Sequence, residues 1–426
     1  MDDIVNPRSV LHALEPRGQG TPAVESLTSY LCRLAHSHGM SSVQLARWVQ
    51  ERHGQTVPDD YKWNQRNFVS MDAETERWAA WLSELTGVGG LDRLSLAPWR
   101  QLLGVPGLVP KSDRWCPCCL AEDRTSGHDP YLRLSWDISP VTACLAHKIN
   151  LTQQCPHCRR SNVRNRASLV VPGYCTACGG FLGVAQSVPA TPESLWVARQ
   201  IGFMLASPPL PIERDALTDL MREVVSRMAG GNVARFSKRL DLSKSGVWHW
   251  VNKGGLPTIR AWLGISLHGG IALEKLMRGD LDGWEPPLEP PQLVLDLPPA
   301  GRKGIPSRVL DWAEITAQLH SILREEVPIP LAEASERTGV EAKLLYLRTN
   351  REARAIATRY RDFRVNVKRI QAAAMTSRLE LILAERLAGG YEGMSARDIR
   401  DRLAGTDLAN MRNTFALIKG VREGSS

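Results

Sequence analysis

Apolar positions recur at helical spacing toward both ends of the chain. In residues 22–50, Leu27, Tyr30, Leu31 and Leu34 lie three and four apart and Gly39 follows, so the spacing predicts a helix and its stop. Ser41 or Ser42 then caps a second helix, and Trp78, Leu82 and Leu85 repeat the pattern ahead of the Thr86-Gly87 turn. Stripes of this kind are core, and residues 1–110 are expected to form a small helical domain.

A second helical pattern runs through 231–279. Phe236 and Leu240 lie four apart, and Leu242-Ser243 is a turn capping a helix that carries Val247 and Trp250. That is helix-turn-helix spacing. Gly254-Gly255, Pro257 and the apolar set Ile259, Trp262, Leu263, Leu273 and Leu276 follow, as in a five-helix repressor-type domain, expected over 191–284. In that arrangement Lys244, Ser245, Trp248, His249 and Asn252 face outward while Val247 and Trp250 hold the helix to its core. A cation, a hydroxyl and an amide there suit phosphate and base-edge contacts; a hairpin used for protein contact would read the same way.

Six prolines between Pro286 and Pro299 mark a semi-rigid linker, placed at 285–306. In the remaining 307–426, segments 330–360 and 394–422 are weakly alike. Each has a short helix, a turn at Gly339 or Gly405 and a second helix, giving tandem helix-turn-helix units joined by a helix around 367–388.

Composition supports folding along most of the 426 residues: 43% are hydrophobic and 23% charged, and the length fits about three domains. There is no basic start followed by an apolar run and no stretch of eighteen apolar residues, so a soluble, cytoplasmic protein without membrane contact is expected. The net charge is +8, and the residues from Gly301 onward hold 22 Lys and Arg against 16 Asp and Glu. Between Lys343 and Arg369, nine cations face only Glu352 and Asp362, a candidate phosphate-contacting surface in which Lys343, Arg348, Arg359 and Arg361 are the expected contacts. A solvated helical face has the same pattern.

Eight of the nine cysteines lie between Cys116 and Cys178. The pairs Cys116/Cys119, Cys144/His147, Cys155/Cys158 and Cys175/Cys178 each enclose two residues, which lets a tight turn aim both side chains at one ion. Four such ligands close a tetrahedron, so two structural zinc ions are expected in a double module over 111–190. Chain order pairs the first four and the last four ligands, but spacing also allows an interleaved pairing, and the CPCC run offers Cys118 as a rival ligand. His128 and His157 read as surface histidines, and Cys32 as a small buried residue on a helix.

The opening run Pro22, Glu25, Ser26, Leu27, Ser29, Tyr30, Leu31, Arg33, Leu34, Ala35 resembles the N-terminal signature of the TniQ family. So do Leu85-Thr86-Gly87, the CPxCL run at Cys116 to Leu120, Tyr131-Leu132-Arg133 with Trp136, and the Cys144/His147 and Cys155/Cys158 pairs. The likeness is dense from about 20 to 180, and the helical array behind it looks like the longer members, the TnsD proteins included. It implies an accessory protein of transposition that selects target DNA and links it to an AAA+ ATPase of the TniB/TnsC kind, and through that to the transposase. Relatives either read DNA directly or dock, as head-to-tail homodimers, on an RNA-guided CRISPR complex.

No reactive constellation stands out in the sequence, and no G-x-x-x-x-G-K-[ST] run is present to bind a nucleotide, so a non-enzymatic role is expected. The alternative is a zinc-containing transcription regulator, which would share the DNA-binding parts but gives no reason for the N-terminal signature. In sum, the expected fold class is mainly α and multidomain, with an N-terminal helical domain, two zinc knuckles or ribbons and C-terminal helix-turn-helix units.

Overall fold

The computed structural model describes residues 9–58, 61, 63, 68–165, 167, 169–184, 187–208, 213–288, 293, 295 and 310–388. The fold is mainly helical; among the described residues, pairing of extended backbone is limited to isolated bridges. No helix among them is long and apolar enough to cross a membrane. The chain divides into two compact units, one of Met1–Cys119, Pro130–Thr152 and Gln186–Arg302, the other of Leu120–Asp129, Gln153–Ala185 and Lys303–Ser426. The stretch 111–190, expected as a single module, therefore contributes to both.

The first unit opens with α1 (Leu27–Ser37), α2 (Ser42–Arg52) and α3 (Ala73–Thr86). Each begins on a side-chain cap that satisfies an orphan N–H: Ser26 for α1, Ser41 with Gln44 in a reciprocal box for α2, and Asp72 for α3. Gly87 ends α3 in the left-handed region at φ 70. Leu27, Tyr30, Leu31 and Leu34 are buried as their spacing predicts, but α1 is also buried on its polar side at Thr28, Ser29 and Arg33.

That polar side is occupied. The Glu25 carboxylate accepts from Ser29 Oγ at 2.7 Å, from Arg33 Nη1 at 2.5 Å and from the Arg17 N–H at 3.1 Å. Ser26 N–H donates to Leu132 O, Leu132 N–H to Ser29 Oγ, and Leu134 N–H to Val24 O, so residues 131–134 are stitched along the start of α1. Two separated parts of the sequence signature thus form one buried polar seam.

After α4 (Pro117–Thr125) come α5 (Pro192–Ala206), α6 (Arg214–Ala229), α7 (Val233–Arg239), α8 (Lys244–Lys253), α9 (Ile259–Gly269) and α10 (Leu273–Met277). Of these, α5 to α10 belong to the first unit and share its core. Trp262 of α9 is fully buried and its Nε1 donates to Leu102 O at 2.9 Å, while Gly104 N–H donates to Pro257 O at 2.9 Å. A Cβ at Gly104 would lie 3.0 Å from Leu256 O, so the approach of these two backbones favours glycine.

In the second unit, α11 (Trp312–Arg324), α12 (Leu331–Thr338), α13 (Ala342–Arg348) and α14 (Asn350–Ala388) enclose a core of Ile315, Leu319, Ile322, Ala334, Leu345, Ala353 and Ile356. The helix expected around 367–388 starts much earlier, at Asn350, directly behind α13. The second tandem segment, 394–422 with Gly405, lies outside the described residues.

Arg359, one of the expected phosphate contacts, is partly buried. Its guanidinium donates to Ile322 O at 3.5 Å, to Glu326 O at 3.4 Å and to Glu325 O, bracing the end of α11 and the residue that follows its cap.

Candidate metal clusters and exposed helical faces

Three of the four ligand pairs sit on the same backbone turn. The N–H groups of Cys144, Cys155 and Cys175 each donate to the carbonyl five residues on (Ile149, Arg160, Gly180), and their own carbonyls accept from the N–H groups of Lys148, Arg159 and Gly179. The residue four after each first ligand is left-handed: Lys148 at φ 56, Arg159 at 55 and Gly179 at 81. The fourth pair is built differently. Cys116 precedes α4, Pro117 starts the helix with its φ already set, and Cys119 lies in the first turn.

These turns bring together Cys116, Cys119, Cys144 and His147 in the first unit, and Cys155, Cys158, Cys175 and Cys178 in the second, with all ligand atoms of a set within 4.8 Å of one another. The pairing follows chain order, which resolves the alternative that spacing leaves open. Cys118 belongs to neither set and is only partly buried. His157 Nε2 is 2.9 Å from Phe181 O and His128 is exposed, so neither joins a cluster. Cys32 is fully buried beside the Ser42 hydroxyl, and burial pushes its thiol up to about 12, which suits an inert packing residue.

The geometry fits a tetrahedral ion. Ligands about 2.0–2.3 Å from one metal stand roughly 3.5–3.8 Å from each other. In the second cluster Cys155 Sγ and Cys178 Sγ are 3.7 Å apart, as are Cys158 Sγ and Cys175 Sγ. In the first, Cys119 Sγ and Cys144 Sγ are 3.5 Å apart, and His147 Nδ1 lies 3.6, 3.3 and 3.5 Å from the sulfurs of Cys116, Cys119 and Cys144. Hydrogen bonds from Cys116 and Cys119 hold Cys144 down at about 2, and those from Cys155, Cys175 and Cys178 lower Cys158 likewise. Hydrogen bonding to Cys116 and Cys144 pushes Cys119 up, hydrogen bonding to Cys155, Cys158 and Cys178 pushes Cys175 up, and burial adds to both, so a divalent cation is what would let them ionise as well.

The second cluster is tied to α14. The hydroxyl of Tyr360, a buried residue, donates to Cys158 O at 3.2 Å, and burial raises its pKa so that the proton stays in place.

The outward residues of α8 stand as the sequence predicts: Lys244, Ser245, Trp248, His249 and Asn252 are exposed, while Val247 and Trp250 are buried. In the second unit Lys343, Arg348 and Arg361 are exposed, and Arg361 Nε lies 3.5 Å from Asp362.

The pair α7–α8 has a counterpart in α12–α13 that shares its turn and the first half of its second helix. Leu242 N–H donates to Ser237 O at 2.9 Å, and Val340 N–H to Ser335 O at 3.1 Å. The residue before each donor is left-handed, Asp241 at φ 51 and Gly339 at φ 66. Ser243 and Glu341 follow as N-caps, Val247 and Leu345 are then fully buried, and next to them Trp248 and Tyr346 are 44% and 39% exposed. Sequence reasoning missed Tyr346 and its neighbour Leu347; the signal is their place beside Leu345 in this shared register.

Residues 16–151, which contain Glu25, Arg33, Arg133 and the first metal cluster, match the TniQ family model. No curated protein matches the chain.

Proposed function

We propose that this TniQ-domain protein is a transposition accessory factor that binds target duplex DNA directly, through the outward faces of α8 and α13, and presents it to an AAA+ ATPase and so to the transposase. The TniQ domain is associated with target selection in transposition, which supplies the biological frame. The observation that carries direct reading is the repeated helical pair: two second helices in one register, each with a buried aliphatic residue holding it down and an exposed aromatic residue and lysine outward. A helix held by such a turn enters the major groove with its outer side chains against base edges. A transcription regulator would use the same pairs but leaves the TniQ domain without a purpose.

Both clusters would hold zinc. Four closed ligands drawn from thiolate and imidazole are the structural zinc set, and no position remains for a substrate. The ions would keep the ligand turns folded, while Lys343, Arg348 and Arg361 supply phosphate contacts and Lys244, Ser245, Trp248, His249 and Asn252 meet the groove.

Fluorescence anisotropy of the full chain on random duplex DNA tests this reading. Binding should weaken steeply with salt as counterions are released. Substitution of Lys244 or His249 should change which duplexes are selected, whereas Arg348→Ala should weaken all of them alike. Absence of duplex binding at low salt would remove the reading.

A further inference from the structure

In α13, Leu345 is fully buried and Leu344 packs against the same core, so the opposite side of the helix carries Lys343, Tyr346 and Leu347 at spacings of three and four. Leu347 is 71% exposed and Tyr346 39%. A single exposed leucine is ordinary, but here two exposed apolar side chains follow Lys343 on the outer side of a helix of only seven residues. Lys343, Arg348, Arg351 and Arg354, all close in sequence, are exposed as well. An apolar protein partner gains nothing from a rim of cations, whereas a polyanion that also offers apolar groups matches both features. Duplex DNA offers one apolar group in its major groove, the 5-methyl of thymine. The equivalent place in α8 is filled by Trp248, so the position is an outward one in both pairs.

From this, resting on the reading that α12–α13 binds duplex DNA, we infer that Tyr346 and Leu347 form a base-reading face that recognises thymine through its methyl group. Lys343 and Arg348 hold the helix to the phosphates on either side. The α13 face then reads mainly by apolar contact, while α8 can also use the hydrogen-bonding groups of Ser245, His249 and Asn252.

Replacing thymine by uracil removes the methyl and keeps the pairing edge, so the test is selection and titration of the full chain on random duplexes prepared with thymine or entirely with uracil. The native protein should bind its selected thymine duplexes about fourfold more tightly per methyl contact than the uracil versions, the effect of burying one carbon. Leu347→Ala and Tyr346→Ala, both at exposed positions, should lose that difference while keeping the melting temperature; Trp248→Ala should keep the part that belongs to α13. If native protein binds neither pool, the direct-reading proposal itself falls. If it binds both equally, DNA binding stands and methyl recognition falls. If Leu347→Ala leaves the thymine preference unchanged, the patch serves a protein partner and the inference is overturned.

Discussion

Asp241 and Gly339 hold the same place in two separate turns, each left-handed and each followed by a residue whose N–H returns to a serine carbonyl. Their side chains differ because the position asks only for a positive φ, which glycine adopts freely and aspartate tolerates. The Asp241 side chain is 99% exposed and reaches Arg260 only at 3.9 Å, so it contributes little else. Asp241→Gly should be neutral or stabilising by up to about 1 kcal/mol, and Gly339→Ala should cost about 1–2 kcal/mol. Chemical denaturation of the two variants measures both; a large loss in Asp241→Gly would show that its carboxylate matters.

The buried pair Glu25 and Arg33 should behave asymmetrically. Arg33→Met leaves a carboxylate buried among Ser29 and the Arg17 N–H, at a cost of about 3–5 kcal/mol, and the double variant Glu25→Gln/Arg33→Met should recover most of it. Burial already raises the Glu25 carboxyl above its usual 4.5, with the Arg33 charge opposing the rise. A raised carboxyl binds its proton more tightly when folded, so its ionisation costs stability as pH climbs above the unfolded value. Arg33→Met should therefore regain stability as pH falls from 7 toward 5, more than the native protein does. Thermal melts across that window decide it.

Metal content should separate by unit. If both clusters hold zinc as proposed, full loading should give two ions per chain, and Cys116→Ser or Cys175→Ser should each leave one. Loss of a structural zinc removes folding free energy of about 10 kcal/mol or more in small domains. Limited proteolysis should accordingly open the first unit in Cys116→Ser and the second in Cys175→Ser, each sparing the other. A single variant that loses both ions would contradict this.

Tyr360→Phe removes only the hydrogen bond to Cys158 O and should cost about 1 kcal/mol without releasing metal. Zinc retention alongside a lowered denaturation midpoint is the expected result.

Arg359 and Arg361 are two residues apart and should give opposite phenotypes. Arg359→Ala uncaps α11 and should lower stability with little direct effect on DNA affinity; Arg361→Ala should leave stability unchanged and reduce the salt slope of DNA binding by about 1. Salt titrations of the two variants, paired with melts, distinguish the roles.

The features legible in the sequence are those whose cause is local. The stripe of α1, the ligand pairs two residues apart, the inward Val247 and the outward Lys244 all follow from periodicity or turn geometry. What stays hidden depends on distant partners. Periodicity does not show that Arg33 is buried against Glu25, nor that Arg359 meets the end of α11. Tyr360 meets a carbonyl 202 residues away, so the company kept by the second cluster could not be read from spacing. The repeat was hidden for another reason. The backbone turn at Gly339 is repeated at Asp241, where no glycine marks the turn, and the Gly405 segment that sequence likeness pairs with it lies outside the described residues.

The hydrogen bond from Trp262 to Leu102 ties α9 into the N-terminal part of its unit, which bears on how the proposed DNA-reading face could change. A fragment holding α6 to α10 alone would expose that indole and break the backbone pairing of Gly104 with Pro257. If α8 reads DNA as proposed, it could not be traded between chains as a loose cassette without also remaking the surface that receives it. New specificity would then arise by point changes among residues such as Ser245, His249 and Asn252, a slow and graded route on a fixed scaffold.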